Sequence, residues 1–237
     1  MNQQQSPLGY AGGSVTTAPF ILDAAQRNQV LRNTYWLLAI SLVPTVLGAW
    51  IGVATGIITA MRPGMSLIVF LVGAFGLMFV INKTKNSAAG VAALLAFTFF
   101  MGLMLSRLVA AVLGFHNGPT LVMTAFGGTA AIFFGMATMA TVIKRDLSGL
   151  GKFLMVGAWI VFFAFIANFF LQSSALMLTS LVVCLGLFSA FLLYDIKRVI
   201  DGGETNYIAA TLAIYISLYN VFQSLLALLG IFGGSSD

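Results

Sequence analysis

The sequence is short of charge: of its 237 residues, 11 are Lys or Arg and 6 are Asp or Glu. Soluble domains carry about 25% charged residues, so the 7% present here cannot solvate a globular surface and excludes a soluble enzyme. The same composition, 60% hydrophobic, excludes a disordered polar chain. Cysteine is nearly absent, with Cys184 alone, which excludes a disulfide-built secreted domain. Histidine is equally scarce. His116 sits in a turn beside Gly118 and Pro119, with no second His, Cys or carboxylate at ligand spacing, so no metal site is read there.

What the chain has instead is long uncharged stretches: 33–61, 63–82, 86–106, 108–143, 153–194 and 205–236. A membrane-crossing helix needs roughly 20 apolar residues. Two stretches must be divided. Gln172-Ser173-Ser174 cuts the fifth, and His116-Asn117-Gly118-Pro119 is a turn signal inside the fourth. The result is an all-α polytopic membrane protein, a seven-transmembrane-helix bundle over 30–232. Its spans are predicted near 35–60, 65–82, 88–113, 120–143, 153–171, 175–199 and 207–231. The apolar stretches do not alternate with period two, which argues against a β-barrel. Residues 1–29, rich in Gln, Gly, Ser and Thr, read as a disordered cytoplasmic tail and lack a signal-peptide pattern. Nine basic residues fall on one side (Arg27, Arg32, Lys83, Lys85, Lys144, Arg145, Lys152, Lys197, Arg198) and only Arg62 and Arg107 on the other. That asymmetry predicts a cytoplasmic N-terminus and a C-terminus across the membrane. It makes the net charge of +5 a topology signal and implies no nucleic-acid partner.

Few residues are left to carry chemistry. Asp195 lies near the cytoplasmic end of the sixth span, and acids within a bilayer usually pair, protonate or line a water path. It reads either as a proton- or cation-sensing acid or as half of an interfacial salt bridge to Arg198, one turn on. Arg107, deep in apolar sequence, reads as a snorkelling side chain rather than a counter-ion. Gly48, Gly52 and Gly56 are spaced by four and predict a bare face for close helix packing within the chain. Pro44 in the same span could kink it. Asn168, Ser217, Asn220 and Gln223 are expected to make interhelical hydrogen bonds. No HExxH, GxSxG, paired GxGD acid, seventh-span Lys or phosphate loop is present, so neither an enzyme nor a cofactor is expected.

Four strings, in order between spans, carry a family resemblance. They are Val30-Leu31-Arg32-Asn33-Thr34-Tyr35-Trp36-Leu37-Leu38, Ile143-Lys144-Arg145-Asp146-Leu147-Ser148, Ala167-Asn168-Phe169-Phe170-Leu171-Gln172-Ser173-Ser174, and Asp201-Gly202-Gly203-Glu204-Thr205-Asn206-Tyr207-Ile208 with Leu218-Tyr219-Asn220 beyond it. Together they resemble the Bax inhibitor (transmembrane BAX-inhibitor-motif) family, in its bacterial YccA-type branch. The resemblance implies seven helices with the seventh central and wrapped by the other six. It implies residence in the bacterial inner membrane and a regulatory partnership with a membrane-bound AAA+ protease of the FtsH type, with the N-terminal tail open to the unfoldase. Some family members are pH-sensitive calcium leaks in which an acid of the sixth helix pairs with one of the seventh. Asp195 falls on the first position and Ser217 near the second, where no carboxylate stands. An arginine carried inside the second helix by such leaks has no match in 66–81. Calcium or proton conduction gated at Asp195, with Ser217 and Asn220 beside it, is therefore the alternative function.

Overall fold

The computed structural model describes residues 24–234. Among them the chain forms seven helices and no strand: α1 (Ala24–Thr55), α2 (Pro63–Thr84), α3 (Ala88–Leu113), α4 (Gly118–Val142), α5 (Leu150–Leu171), α6 (Ser174–Ile200) and α7 (Tyr207–Gly233). The shortest have 22 residues. At 1.5 Å per residue they reach about 33 Å, enough for a hydrocarbon core of about 30 Å. All seven are long and apolar enough to cross a membrane. Their outer surface carries Trp36, Trp50, Phe79, Phe153 and Phe170, each largely exposed. Such a surface would aggregate in water and is the expected one in lipid.

Helices α2 to α7 start and end within three residues of the predicted spans. The first helix departs most, starting at Ala24 rather than 35 and ending at Thr55 rather than 60. Residues 24–34 contain no Gly or Pro and continue the helix as a polar extension, which an apolar-window criterion passes over. The tail predicted over 1–29 thus loses 24–29 to α1, and its remainder lies outside the described residues. The helix passes through Pro44 without a break. Gly56 ends it, holding φ at +66°, a left-handed conformation open to glycine.

The cut inside the fifth stretch has a local cause. Gln172 turns left-handed (φ 49°) and its N–H donates to Asn168 O at 2.8 Å. Asn168 Oδ1 then accepts from Ser173 N at 3.0 Å, and Ser173 Oγ accepts from Leu176 N at 3.3 Å, capping α6. The polar triplet ends one helix and starts the next within two residues.

Helix α7 is central. It packs against α1, α2, α3, α4 and α6 and buries Tyr215, Tyr219, Ser217, Thr211 and Ser224 among its apolar residues. The expected wrapping by six helices is corrected to five. Helix α5 runs along α6, away from α7, and meets α2 through the edge-on rings of Phe75 and Phe162. Pairing is most extensive between α1 and α3. There a Cβ on Gly48 would run into Phe99 O, one on Gly52 into Ser106, and one on Gly102 into Thr45 O. Gly56 takes no part in this approach. A Cβ there would meet only Thr59 Oγ1, at 3.4 Å, so the series of three bare patches on one face shrinks to two, joined by Gly102 from the facing helix.

Candidate functional site

The loop after α6 shows what is available to Asp195. At the end of α6, Lys197 Nζ pairs with Asp201 Oδ1 at 2.7 Å, an i,i+4 bridge. Gly202, with φ +77°, turns the chain. Arg198 then reaches forward, with Nη2 at 3.3 Å from Glu204 Oε2 and Nε donating to Gly203 O. Both nearby cations are thereby taken by the loop. The salt bridge weighed for Asp195 and Arg198 does not form. Asn206 caps α7, its Oδ1 accepting from Ile208 N and Ala209 N. Its Nδ2 donates to Lys85 O and Asn86 Oδ1, tying the α6–α7 loop to the α2–α3 loop.

Asp195 is half-buried and faces α7, where buried Ser217 donates its hydroxyl to Asp195 Oδ2 at 3.3 Å. The structure thus brings Asp195 and Ser217 together. Asn220 stands apart, its Nδ2 donating to Ile216 O of its own helix at 2.8 Å. Asn168 serves the α5–α6 turn, and Gln223 forms no hydrogen bond among the described residues. Of the four polar residues expected to bond between helices, Ser217 alone does so. An α-helix presents many of its side-chain donors to its own i−4 carbonyl, and that local partner wins for Asn220.

The other interhelical bonds of α7 come from residues without a signal of their own in the sequence. Thr211 Oγ1 donates to Tyr207 O at 2.7 Å and approaches Thr34 O of α1 at 3.3 Å. The Tyr215 hydroxyl lies 2.8 Å from Thr45 Oγ1 and 3.4 Å from Thr98 O. Tyr219 donates to Met101 O at 3.3 Å. These positions, with Gln223, recur every four residues along α7 and form one polar face toward α1 and α3. That spacing is visible in the sequence and was the signal available. Arg107 is the second surprise. Its Nη2 donates to Ile58 O at 2.9 Å and Met61 O at 2.7 Å, so the guanidinium clamps the α1–α2 connection.

Among the described residues no three His, Cys, Asp or Glu side chains cluster as metal ligands. The arrangement consists of one carboxylate held by a hydroxyl at the α6–α7 contact, inside a polytopic α-helical bundle built around its last helix. That class has a family: residues 27–234 match the one described as "Inhibitor of apoptosis-promoting Bax1", and the chain belongs to this Bax inhibitor family. It is 40% identical over 203 residues to "Modulator of FtsH protease YccA" of Escherichia coli (strain K12), covering 86% of this chain and 90% of that protein. The same identity and coverage hold for "Inner membrane protein YccA" of Escherichia coli O6:H1. An uncharacterized protein of Pseudomonas aeruginosa is 38% identical over 235 residues, 99% of each chain.

Proposed function

We propose that the protein is a regulator in the bacterial inner membrane that binds a membrane-bound AAA+ protease of the FtsH type and modulates its action on other membrane substrates. The observation that carries this is the 40% identity, across nearly the whole bundle, to a relative named as a modulator of that protease. The distribution of basic residues supports a cytoplasmic N-terminus and a C-terminus on the periplasmic side. In this orientation the N-terminal tail lies on the side where an ATP-driven unfoldase works. The test is reconstitution of the full chain with the purified protease and a second membrane substrate. Slower degradation of that substrate is expected. Removing residues 2–22, which stops short of α1, should leave binding but slow the protein's own turnover. Substrate degradation at an unchanged rate, with no co-purification, would reject the proposal.

A second reading rests on the Asp195–Ser217 contact, where, alone among the described residues, an acid meets the central helix inside the bundle. Ionisation there would bias the packing of α6 on α7 and gate a calcium or proton leak. Flux into dye-loaded liposomes separates the two readings. Equal flux from wild type and Asp195→Asn at every pH would remove gating by this residue, and absent flux would remove conduction.

A further inference from the structure

At the end of the bundle opposite Asp195, a cavity of about 310 Å³ opens between α2, α3, α5 and α7. Small-molecule sites usually span about 300–1,000 Å³. Its walls include Pro63, Ser66, Phe70, Arg107, Phe169 and Gln223. Arg107 lies six residues before the end of α3, about 9 Å in from the helix terminus. A guanidinium has five N–H donors and stays charged. Both donors on Nη2 are used by Ile58 O and Met61 O, and those of Nε and Nη1 have no partner among the described residues. All the carboxylates of the described residues, Asp146, Asp195, Asp201 and Glu204, belong to the other end, so none neutralises this cation. The Gln223 amide on the same wall has no partner among the described residues either. Helix α2 begins at this wall with Pro63 at its first turn and no side-chain cap, which leaves its positive end uncapped.

The neighbouring space is of another kind. Pro63 and Phe169 also border a cleft of about 1050 Å³ whose further walls include Met177, Leu178 and Ile231. Phe169 and Ile231 are exposed on the flank of the bundle that faces lipid. A cation with no carboxylate partner and with free donors among the described residues thus borders a mostly apolar cleft, which Asn168, Gln172, Ser173 and Ser174 edge on the side of the α5–α6 turn.

We infer that this cavity binds the phosphodiester of a membrane phospholipid, with Arg107 as the anion ligand, Gln223 as a further donor, and an acyl chain lying in the adjoining cleft. The planar guanidinium fork matches a phosphate group, and charge-assisted bonds of this kind are strong where water is scarce. That Pro63 and Phe169 border both spaces favours a lipid over an anion drawn from solution. The inference stands on the cavity alone and does not depend on the protease reading.

Native mass spectrometry of the full chain in detergent tests it, with dioleoyl-phosphatidylglycerol, dioleoylglycerol and soluble glycerol phosphate as probes. The wild type should retain one phosphatidylglycerol per chain and no dioleoylglycerol, and glycerol phosphate should neither bind comparably nor displace the lipid. Arg107→Gln and the cavity-filling Ser66→Phe should each weaken retention at least about tenfold, as the loss of a charged hydrogen bond or of the space requires. Arg62→Gln, which alters the surface charge outside the cavity, should not. Equal retention of dioleoylglycerol would show an apolar groove only, and binding of glycerol phosphate as tight as that of the lipid would show a solution-anion site. Either result overturns the assignment on the wild type alone, whatever the variants do. An Arg62→Gln effect equal to that of Arg107→Gln would overturn it too. Because Arg107 also clamps the α1–α2 connection, Ser66→Phe carries the test if Arg107→Gln fails to fold.

Discussion

The approach of α1 to α3 makes a quantitative prediction about Gly48. A methyl group there would fall 3.0 Å from Leu103 N, 3.1 Å from Phe99 C and well inside the contact distance of Phe99 O. These are backbone atoms of a facing helix, and no side-chain rotation can clear them. Relief requires the two helices to part by an appreciable fraction of an ångström. In lipid, helix pairing rests largely on van der Waals contact, and a gap of about 0.5–1 Å forfeits a quarter to a half of each contact's energy. Overpacking of this kind costs about 1–3 kcal/mol. Replacing a mid-helix Gly by Ala returns about 1 kcal/mol of helix propensity. Because the clash is with backbone of the facing helix, Gly48→Ala belongs in the upper part of the overpacking range, about 2–3 kcal/mol, and should lose about 1–2 kcal/mol net. Gly102→Ala, which meets Thr45 O from the other side, should behave alike. Gly186→Ala is the internal standard, because a Cβ there has nothing within 4 Å and should gain up to about 1 kcal/mol. Reversible unfolding in mixed detergent–SDS micelles measures all three. If Gly48→Ala were as stable as wild type, or matched Gly186→Ala, the close approach would not be a stabilising contact.

Three further expectations follow from single side chains. Thr34 Oγ1 is buried without a partner among the described residues, so the near-isosteric Thr34→Val should stabilise by about 1 kcal/mol in the same assay. Tyr215→Phe removes the hydroxyl shared by Thr45 and Thr98 while Thr45 keeps its bond to Ser41 O, and should destabilise by about 0.5–1.5 kcal/mol. In the α4–α5 loop, the N–H and hydroxyl of Ser148 donate to the Asp146 carboxylate and hold its pKa below the usual carboxylate range. Because the folded value is the lower one, this contribution to loop order is complete above pH about 4 and is lost as pH falls through the folded pKa. Protection of the Ser148 amide, its exchange rate relative to the intrinsic rate at the same pH, should be high at neutral pH and fall in acid, whereas in Asp146→Ala it should be low at both.

The sequence carried the architecture more fully than the site. Charge-free stretches locate helices because a charge inside lipid is costly, and the Gln172-Ser173-Ser174 cut works because each of those residues can take a terminal role. Residues 24–34 escaped, since a polar helical extension has no apolar signature. Gly56 fitted a spacing of four, but spacing cannot tell a helix interior from its last turn. Asp195 stood out by its charge alone. Its partner Ser217 could be placed only through the family resemblance, because one hydroxyl among many has no distinctive pattern. The two carbonyls that hold Arg107 belong to Ile58 and Met61, whose side chains say nothing about the backbone groups they expose. Thr211, Tyr215, Tyr219 and Gln223 were legible at their spacing of four. Gln223 was singled out, but Thr211, Tyr215 and Tyr219 were passed over because a threonine or an uncharged aromatic in a span resembles a lipid-facing residue until a neighbouring helix is known.

The central position of α7 bears on how the molecule is made. Translation delivers helices in chain order, so α1 to α6 enter the membrane before the helix that five of the described six others pack against. A nascent bundle of six has its rim in place and its middle missing, with α1 and α3 already able to close on each other through Gly48 and Gly102. Completion then requires the last span to slide into a site whose walls are set, past Thr45, Thr98 and Met101. In the interval between insertion of the sixth and seventh helices, the faces of α1, α3, α4 and α6 that α7 covers have no partner.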